Sequence, residues 1–95
     1  MRTTDRQISW TSVFKRDFKR EKKKSPQLET LLSPILSALA ADAPLEPRHY
    51  DHALTGDWKD YRDCHVKPDL VLIYQKLDEE ILLLVRLGSH SELDI

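Results

Sequence analysis

Three apolar, β-branched runs separated by very short breaks fill the second half of the chain, and they restrict the fold more than any other feature. Leu70–Lys76 is one such run, residues 81–87 are a second, and residues 58–66, opening after Gly56, read as a third. Runs of this length bounded by turn residues are strands. Lys67-Pro68-Asp69 reads as a turn, because Pro68 cannot donate to a ladder and drives Lys67 away from helical angles. Residues 77–80 form a tight acidic turn. Connections this short make antiparallel hairpins. Gly88 then frees the chain to turn, leaving Ser89 and His90 just past a strand end.

Upstream the period changes. Residues 6–10 alternate polar and apolar and read as a short opening strand. Thr11 or Ser12 can cap a helix running to about Lys24, with Val13, Phe14 and Phe18 as its apolar face. Ser25-Pro26 is a second start signal, in which the hydroxyl caps and proline takes the first helical position. Leu28, Leu31, Leu32, Ile35, Leu36 and Leu39 then recur at helical spacing as a core stripe. Pro34 removes one backbone bond inside that helix, so a kink or an early end is expected there. Residues 42–47 are a connector, and residues 49–52 show no clear periodicity. The expected class is α+β: one domain over residues 1–95, with two N-terminal helices packed on a small, largely antiparallel sheet in the order β-α-α-β-β-β.

Ninety-five residues make a single domain with a thin core. The longest apolar runs, residues 70–74 and 81–85, fall far short of the roughly 20 residues of a membrane span. The N-terminus is basic with no apolar stretch behind it, so no secretory signal is expected. Cys64 is the only cysteine, which excludes an internal disulfide and fits a reducing cytoplasm. The net charge of −1 hides an asymmetry. Residues 1–24 carry nine Lys/Arg against three Asp/Glu, a balance of +6, and residues 25–95 carry six against thirteen, a balance of −7. A split of this kind suggests two partner surfaces, one of them for a polyanion.

Several chemistries fall away. Two glycines in the whole chain provide no phosphate-cradling loop, and no serine stands in a G-x-S-x-G elbow. His49, His52, Cys64, His65 and Asp69 are ligand types, but neighbours Cys64 and His65 on a strand point to opposite faces, so no metal or other cofactor is expected. What remains is a set of proton-transfer and phosphate-binding groups: His52, His65, His90, Asp69 and Arg86. Histidines can accept and donate protons at one neutral pH, and arginine offers a charged fork to phosphate oxygens. Those parts suffice to cleave RNA without a metal: a base takes the 2′-hydroxyl proton, the oxygen attacks phosphorus, and an acid protonates the leaving 5′-oxygen.

The stretch L-x-G-x-W-K-x-Y-R-D-C-H-V-K-P-D-L-V-L-I-Y starting at Leu54, followed by L-x-R-L-G-S-H-S-E-L ending at Leu93, resembles the YafQ branch of the RelE-type toxins. The resemblance implies a RelE-like fold and the toxin half of a bacterial type II toxin–antitoxin pair. The implied activity is that of an mRNA interferase, a ribosome-dependent endoribonuclease that leaves a 2′,3′-cyclic phosphate and inhibits translation. It further implies that His90 is the general acid, that Arg86 stabilises the transition-state phosphate, and that His52, His65 and Asp69 shape the base side, with the base unassigned among them. Lys15, Lys19, Lys22, Lys23 and Lys24 would contact rRNA and mRNA. The implied partners are the ribosome and a ribbon-helix-helix antitoxin of the DinJ/RelB-like kind, through which alone the toxin would reach operator DNA; no membrane is involved. Cys64 is expected to be a packed side chain and His49 a surface residue. One position departs from the pattern: the family usually follows S-H-S-E-L with an aromatic, and here that residue is Asp94. An aromatic would stack on a base, whereas a carboxylate cannot. The alternative reading is therefore a catalytically impaired homologue acting as the antitoxin-binding partner in an operon-repressing complex.

Overall fold

A computed structural model describes residues 5–95. Arg2, part of the N-terminal charge, lies outside those residues. The elements are β1 (Gln7–Trp10), α1 (Ser12–Lys24), α2 (Leu28–Ala40), β2 (His52–Ala53), β3 (Arg62–Lys67), β4 (Leu70–Lys76), β5 (Ile81–Gly88) and α3 (His90–Leu93), with short 3-10 turns at Pro47–His49 and Gly56–Trp58. They form one five-stranded sheet in the order β1-β5-β4-β3-β2. Pairing is antiparallel from β2 to β5, and β1 joins β5 in parallel after the crossover through both helices. The α+β arrangement of helices on a largely antiparallel sheet is as the hairpin and stripe signals indicate.

Both long helices cover one face. Thr11 caps α1, its hydroxyl accepting from the Phe14 N–H at 2.9 Å, and Lys22, Lys23 and Lys24 complement the dipole in the last turn. Phe14 from α1 and Leu28, Leu32, Ile35 and Leu39 from α2 bury against Leu70, Leu72, Tyr74, Leu82, Leu84 and Leu87 of the sheet. The opposite face has a smaller apolar cluster: Val71, Ile73 and Leu93, with Leu54, Trp58, Tyr61 and Val85 packed beside them. Strand β4 thus buries apolar side chains on both faces, which accounts for its unbroken apolar run.

Four local expectations change. Ser25 does not cap α2 with its side chain; it closes α1, its N–H bonding the Glu21 carbonyl, and α2 begins at Leu28. Pro34 does not end α2, which continues to Ala40, because Leu32, Ile35 and Leu39 on its inner face keep their core contacts. The strand expected over residues 58–66 starts only at Arg62. Before it the chain coils through Gly56, at φ 66°, so that Trp58 and Tyr61 pack edge to face with ring centroids 5.3 Å apart. Finally, β2 and α3 are additional elements. Replacing Leu72, which is fully buried, with alanine is expected to cost about 3 kcal/mol in urea unfolding, whereas Leu77→Ala in the exposed β4–β5 turn should cost about 0.5 kcal/mol or less.

Candidate active site

Cross-strand partners share a face of a sheet. The pairs His52–Asp63, Asp63–Ile73 and Ile73–Arg86 lay one row of residues across β2, β3, β4 and β5, and His65–Val71–Gly88 forms a second. Their alternates, Cys64 and Leu72, belong to the helix-side core, so the two rows lie on the face away from the long helices. Register slips by one residue at Val85, which is opposite no residue of β4, and a bulge of this kind re-aims the side chain that follows, Arg86.

The histidines form a chain of rings on this face. The His52 ring lies 4.4 Å from Tyr50, Tyr50 meets His65 edge to face at 5.7 Å, and His65 meets His90 edge to face at 5.0 Å. His90 opens α3, whose start is fixed by a capping box: Ser89 Oγ accepts from the Glu92 N–H, and Glu92 accepts from the Ser89 N–H. Asp69, in the β3–β4 turn, accepts both the His90 Nδ1–H at 2.9 Å and its backbone N–H at 3.3 Å. Those two bonds hold the Asp69 carboxyl below the usual carboxylate range. They also hold the His90 Nδ1–H on Asp69, leaving Nε2 as the ring nitrogen free to exchange a proton.

His52 is oriented from behind, its Nδ1–H donating to the Tyr50 carbonyl at 2.8 Å. The same nitrogen lies 3.1 Å from Asp63 Oδ1 without an aligned hydrogen bond, and that oxygen has no hydrogen-bond partner among the described residues. Asp63 is only 2% exposed. Burial raises its pKa, and His52, His65 and His90 offset only part of that rise. Tyr50 adopts left-handed angles, φ 44° and ψ 54°, while remaining 61% exposed. Bulky residues rarely accept that conformation. Among the described residues neither ring nitrogen of His65 is engaged; its carbonyl accepts the His49 Nδ1–H at 2.7 Å, so His49 is a half-buried brace rather than a free surface residue.

Arg86 is held at the β5 edge. Its Nε donates to Asp17 Oδ2 at 2.8 Å and one terminal nitrogen reaches Oδ1 at 3.5 Å, leaving Nη1 without a hydrogen-bond partner among the described residues. Asp17 is on α1, the opposite layer, and is 1% exposed. Burial pushes its pKa up, but the bonds from Arg86 and the Leu87 N–H outweigh that and hold it low. Of the residues singled out by the sequence, His52, His65, His90 and Asp69 are linked through the ring chain and the Asp69–His90 bonds, while Arg86, in the same row as His52, is held by Asp17. Asp17, Asp63 and Tyr50, which contact these residues, do not stand out in the sequence. Cys64 is fully buried, burial pushes its thiol pKa far up, and it is no nucleophile. Among the described residues no group of three or more metal-ligating side chains is assembled.

The sequence model of the YafQ toxins of bacterial type II toxin–antitoxin systems matches residues 6–95. The chain belongs to the YafQ family. It is 35% identical over 88 residues to the mRNA interferase toxin YafQ of Escherichia coli K12, covering 93% of this chain and 95% of that one. Its fold superposes on a copper-bound mutant toxin from Helicobacter pylori with a TM-score of 0.86 at 38% identity, over 95% and 99% of the two chains. It superposes on YafQ from the E. coli DinJ–YafQ complex with a TM-score of 0.80 at 36% identity, over 93% and 97%.

Within this YafQ fold, Asp94 has a structural role: it ends α3 in a left-handed conformation, φ 57°, that aspartate tolerates better than most residues. Of the lysines, Lys15, Lys19 and Lys22 border an apolar cleft of about 690 Å³ between α1, α2 and β1, on the far side of the sheet from the histidines. Lys22 pairs with Glu29, Lys24 approaches Glu21, and Lys23 is exposed. No described helix is long and apolar enough to cross a membrane.

The buried Asp63 yields a pH test. Its folded pKa lies above the unfolded value near 3.8, so the folded state binds the proton more tightly and stability falls as pH rises through that window. Asp63→Asn is therefore expected to raise the urea midpoint relative to wild type at pH 7, and the difference should shrink as pH falls to 3.8 and below. An equal difference at both pH values would contradict burial as the dominant cause.

Proposed function

We propose that this chain is the toxin of a type II pair and an endoribonuclease that cuts mRNA on the ribosome. The observation that carries the reading is the His65–His90 pair, 5.0 Å apart, with His90 fixed by Asp69. The E. coli relative's name as an mRNA interferase toxin supports the activity. His65, whose ring nitrogens are free among the described residues, removes the 2′-hydroxyl proton, and the oxygen attacks the adjacent phosphorus to form a 2′,3′-cyclic phosphate. His90 Nε2 protonates the leaving 5′-oxygen, and the Asp69 carboxylate stabilises the imidazolium that precedes this transfer. Arg86 Nη1 is the donor available to the developing phosphate charge. No step needs a metal. Asp69, committed to His90, orients the acid and is not the base. The exposed Tyr50 ring, held beside His52 and His65, presents a face for stacking a base where Asp94 cannot.

An antitoxin is the second partner, as in the DinJ–YafQ complexes of the E. coli relative, and contact with operator DNA comes through it. The five lysines of α1 bind rRNA phosphates away from the cleaved bond, which makes ribosome binding steeply salt-dependent. A ribosomal substrate places the protein in the cytoplasm. The alternative, an impaired homologue retained as an antitoxin-bound co-repressor, rests on Asp94; it takes over when the wild-type chain causes no translation arrest and Asp94→Phe does.

Inducing the wild-type chain in bacteria is expected to stop translation. With purified programmed ribosomes, His90→Ala and His65→Ala should each slow cleavage on the order of a thousandfold, and EDTA should leave the wild-type rate unchanged. Cleavage by His90→Ala at the wild-type rate would remove it as the acid. Tyr50→Phe should retain activity while Tyr50→Ala loses about tenfold in affinity for the programmed ribosome, the scale of one stacked base; equal binding by both variants would rule out stacking.

A further inference from the structure

Strand β1 ends at Trp10, so the last four residues of β5 have no strand beside them on that edge. Side chains of α1 and of its cap Thr11 take its place. Thr11 Oγ1 donates to the Val85 carbonyl at 2.9 Å, the Leu87 N–H donates to Asp17 at 3.1 Å, and an Arg20 terminal nitrogen donates to the Leu87 carbonyl at 3.0 Å. Asp17 also holds Arg86, as described, and accepts from Arg20 Nη1 at 3.0 Å. Arg20 Nε bonds Glu21 at 2.9 Å and stands 3.4 Å from Glu92 Oε2. Glu92 is the residue whose other oxygen closes the capping box under His90. One connected polar network thus runs from the anchored side of Arg86 to the base of the helix that carries His90.

Gly88 lies in the middle of this network. A Cβ there would stand 3.2 Å from Arg20 Nη2 and 3.2 Å from Glu92 Oε1. Among the described residues its φ is not one of the positive values, so glycine serves close approach here rather than the freedom to turn.

We propose that Asp17 and Arg20 are positioning residues of this toxin: from the layer behind the sheet, they set Arg86 and His90 in a common register, with Gly88 leaving room for the link. Asp17 anchors Arg86 by Nε and one terminal nitrogen, so that only Nη1 is presented. Arg20, through Glu92, holds the first turn of α3 against the end of β5. The effect on chemistry follows from geometry, since a misplacement of about 1 Å at a reacting group costs about a hundredfold in rate. The functional consequence rests on the cleavage reading above; the coupling itself does not.

The test uses the full chain with Asp17→Asn, Arg20→Gln, Arg20→Lys and Gly88→Ala. On programmed ribosomes Asp17→Asn is expected to lower kcat about a hundredfold with KM changed less than about threefold. Arg20→Gln and Gly88→Ala should lower kcat about tenfold, and Arg20→Lys should restore part of the Arg20→Gln loss. Nitrogen-15 NMR gives a readout independent of activity. In the wild type the Arg86 Nε–H should be a distinct, slowly exchanging signal; Asp17→Asn should abolish it. Arg20→Gln and Gly88→Ala should shift the His90 backbone amide. If Asp17→Asn fails to fold, the Arg20 and Gly88 variants decide the matter, because Arg20 is about one-third exposed and Gly88 has ordinary angles. Folded variants with unchanged Arg86 and His90 signals overturn the proposal, as does loss confined to KM. A wild-type chain that does not cleave overturns the cleavage reading alone, and the NMR shifts then decide the coupling.

Discussion

The architecture depends on one constraint, that β4 buries apolar side chains on both faces. Leu70, Leu72 and Tyr74 are covered by two long helices, an ample lid. Val71 and Ile73 point the other way, and the chain has little left with which to cover them. Leu93 does part of that work, with Trp58, Tyr61 and Leu54. Burying Leu93 draws the four-residue α3 back over the sheet, and its first residue is His90. A helix of one turn is not stable by itself; the capping box and the buried leucine hold it there. The hydrophobic demand of the central strand is therefore what brings His90 to Asp69 and His65.

Two buried carboxylates show how differently one fold treats the same group. Asp17 is surrounded by donors from Arg86, Arg20 and the Leu87 N–H, and its charge is compensated. Asp63 has an oxygen with no hydrogen bond among the described residues and only histidines for compensation. A buried acid with that environment costs stability at neutral pH, and it lies in the row that carries His52 and Arg86. The strained backbone of Tyr50 lies at the same place. Both costs are concentrated on the face that the ring chain occupies, and the helix-side core carries neither a left-handed residue nor an unbonded polar atom among the described residues.

Much of this was legible in the chain. Alternation around Cys64, once that residue is given to the core, assigns Asp63 and His65 together to the other face. The helical spacing of Phe14, Asp17, Phe18 and Glu21 marks Asp17 as inward-facing despite its basic neighbours, and Ser89-His90-Ser91-Glu92 spells a capping box. Those signals are short beside the longer periodic runs. By contrast, nothing local identifies β2, a two-residue strand that exists only because β3 offers it an edge. Nor does anything local announce that Gly56 and Trp58 coil rather than extend, since Trp58 finds its partner Tyr61 only after that coil forms.

The sequence by itself determined the layers, because period and turn chemistry act over a few residues: two helices with one apolar face each, and three strands joined by breaks too short for anything but hairpins. It also supplied histidines, carboxylates and an arginine suited to acid–base and phosphate chemistry and, through its motifs, the family. Only the tertiary structure decided their relations. That Arg86 is anchored by a carboxylate 69 positions earlier, and that His65 and His90 come within 5.0 Å of each other, are outcomes of strand register, a bulge and the covering of β4. Such contacts depend on long-range burial, which no local stretch of sequence encodes.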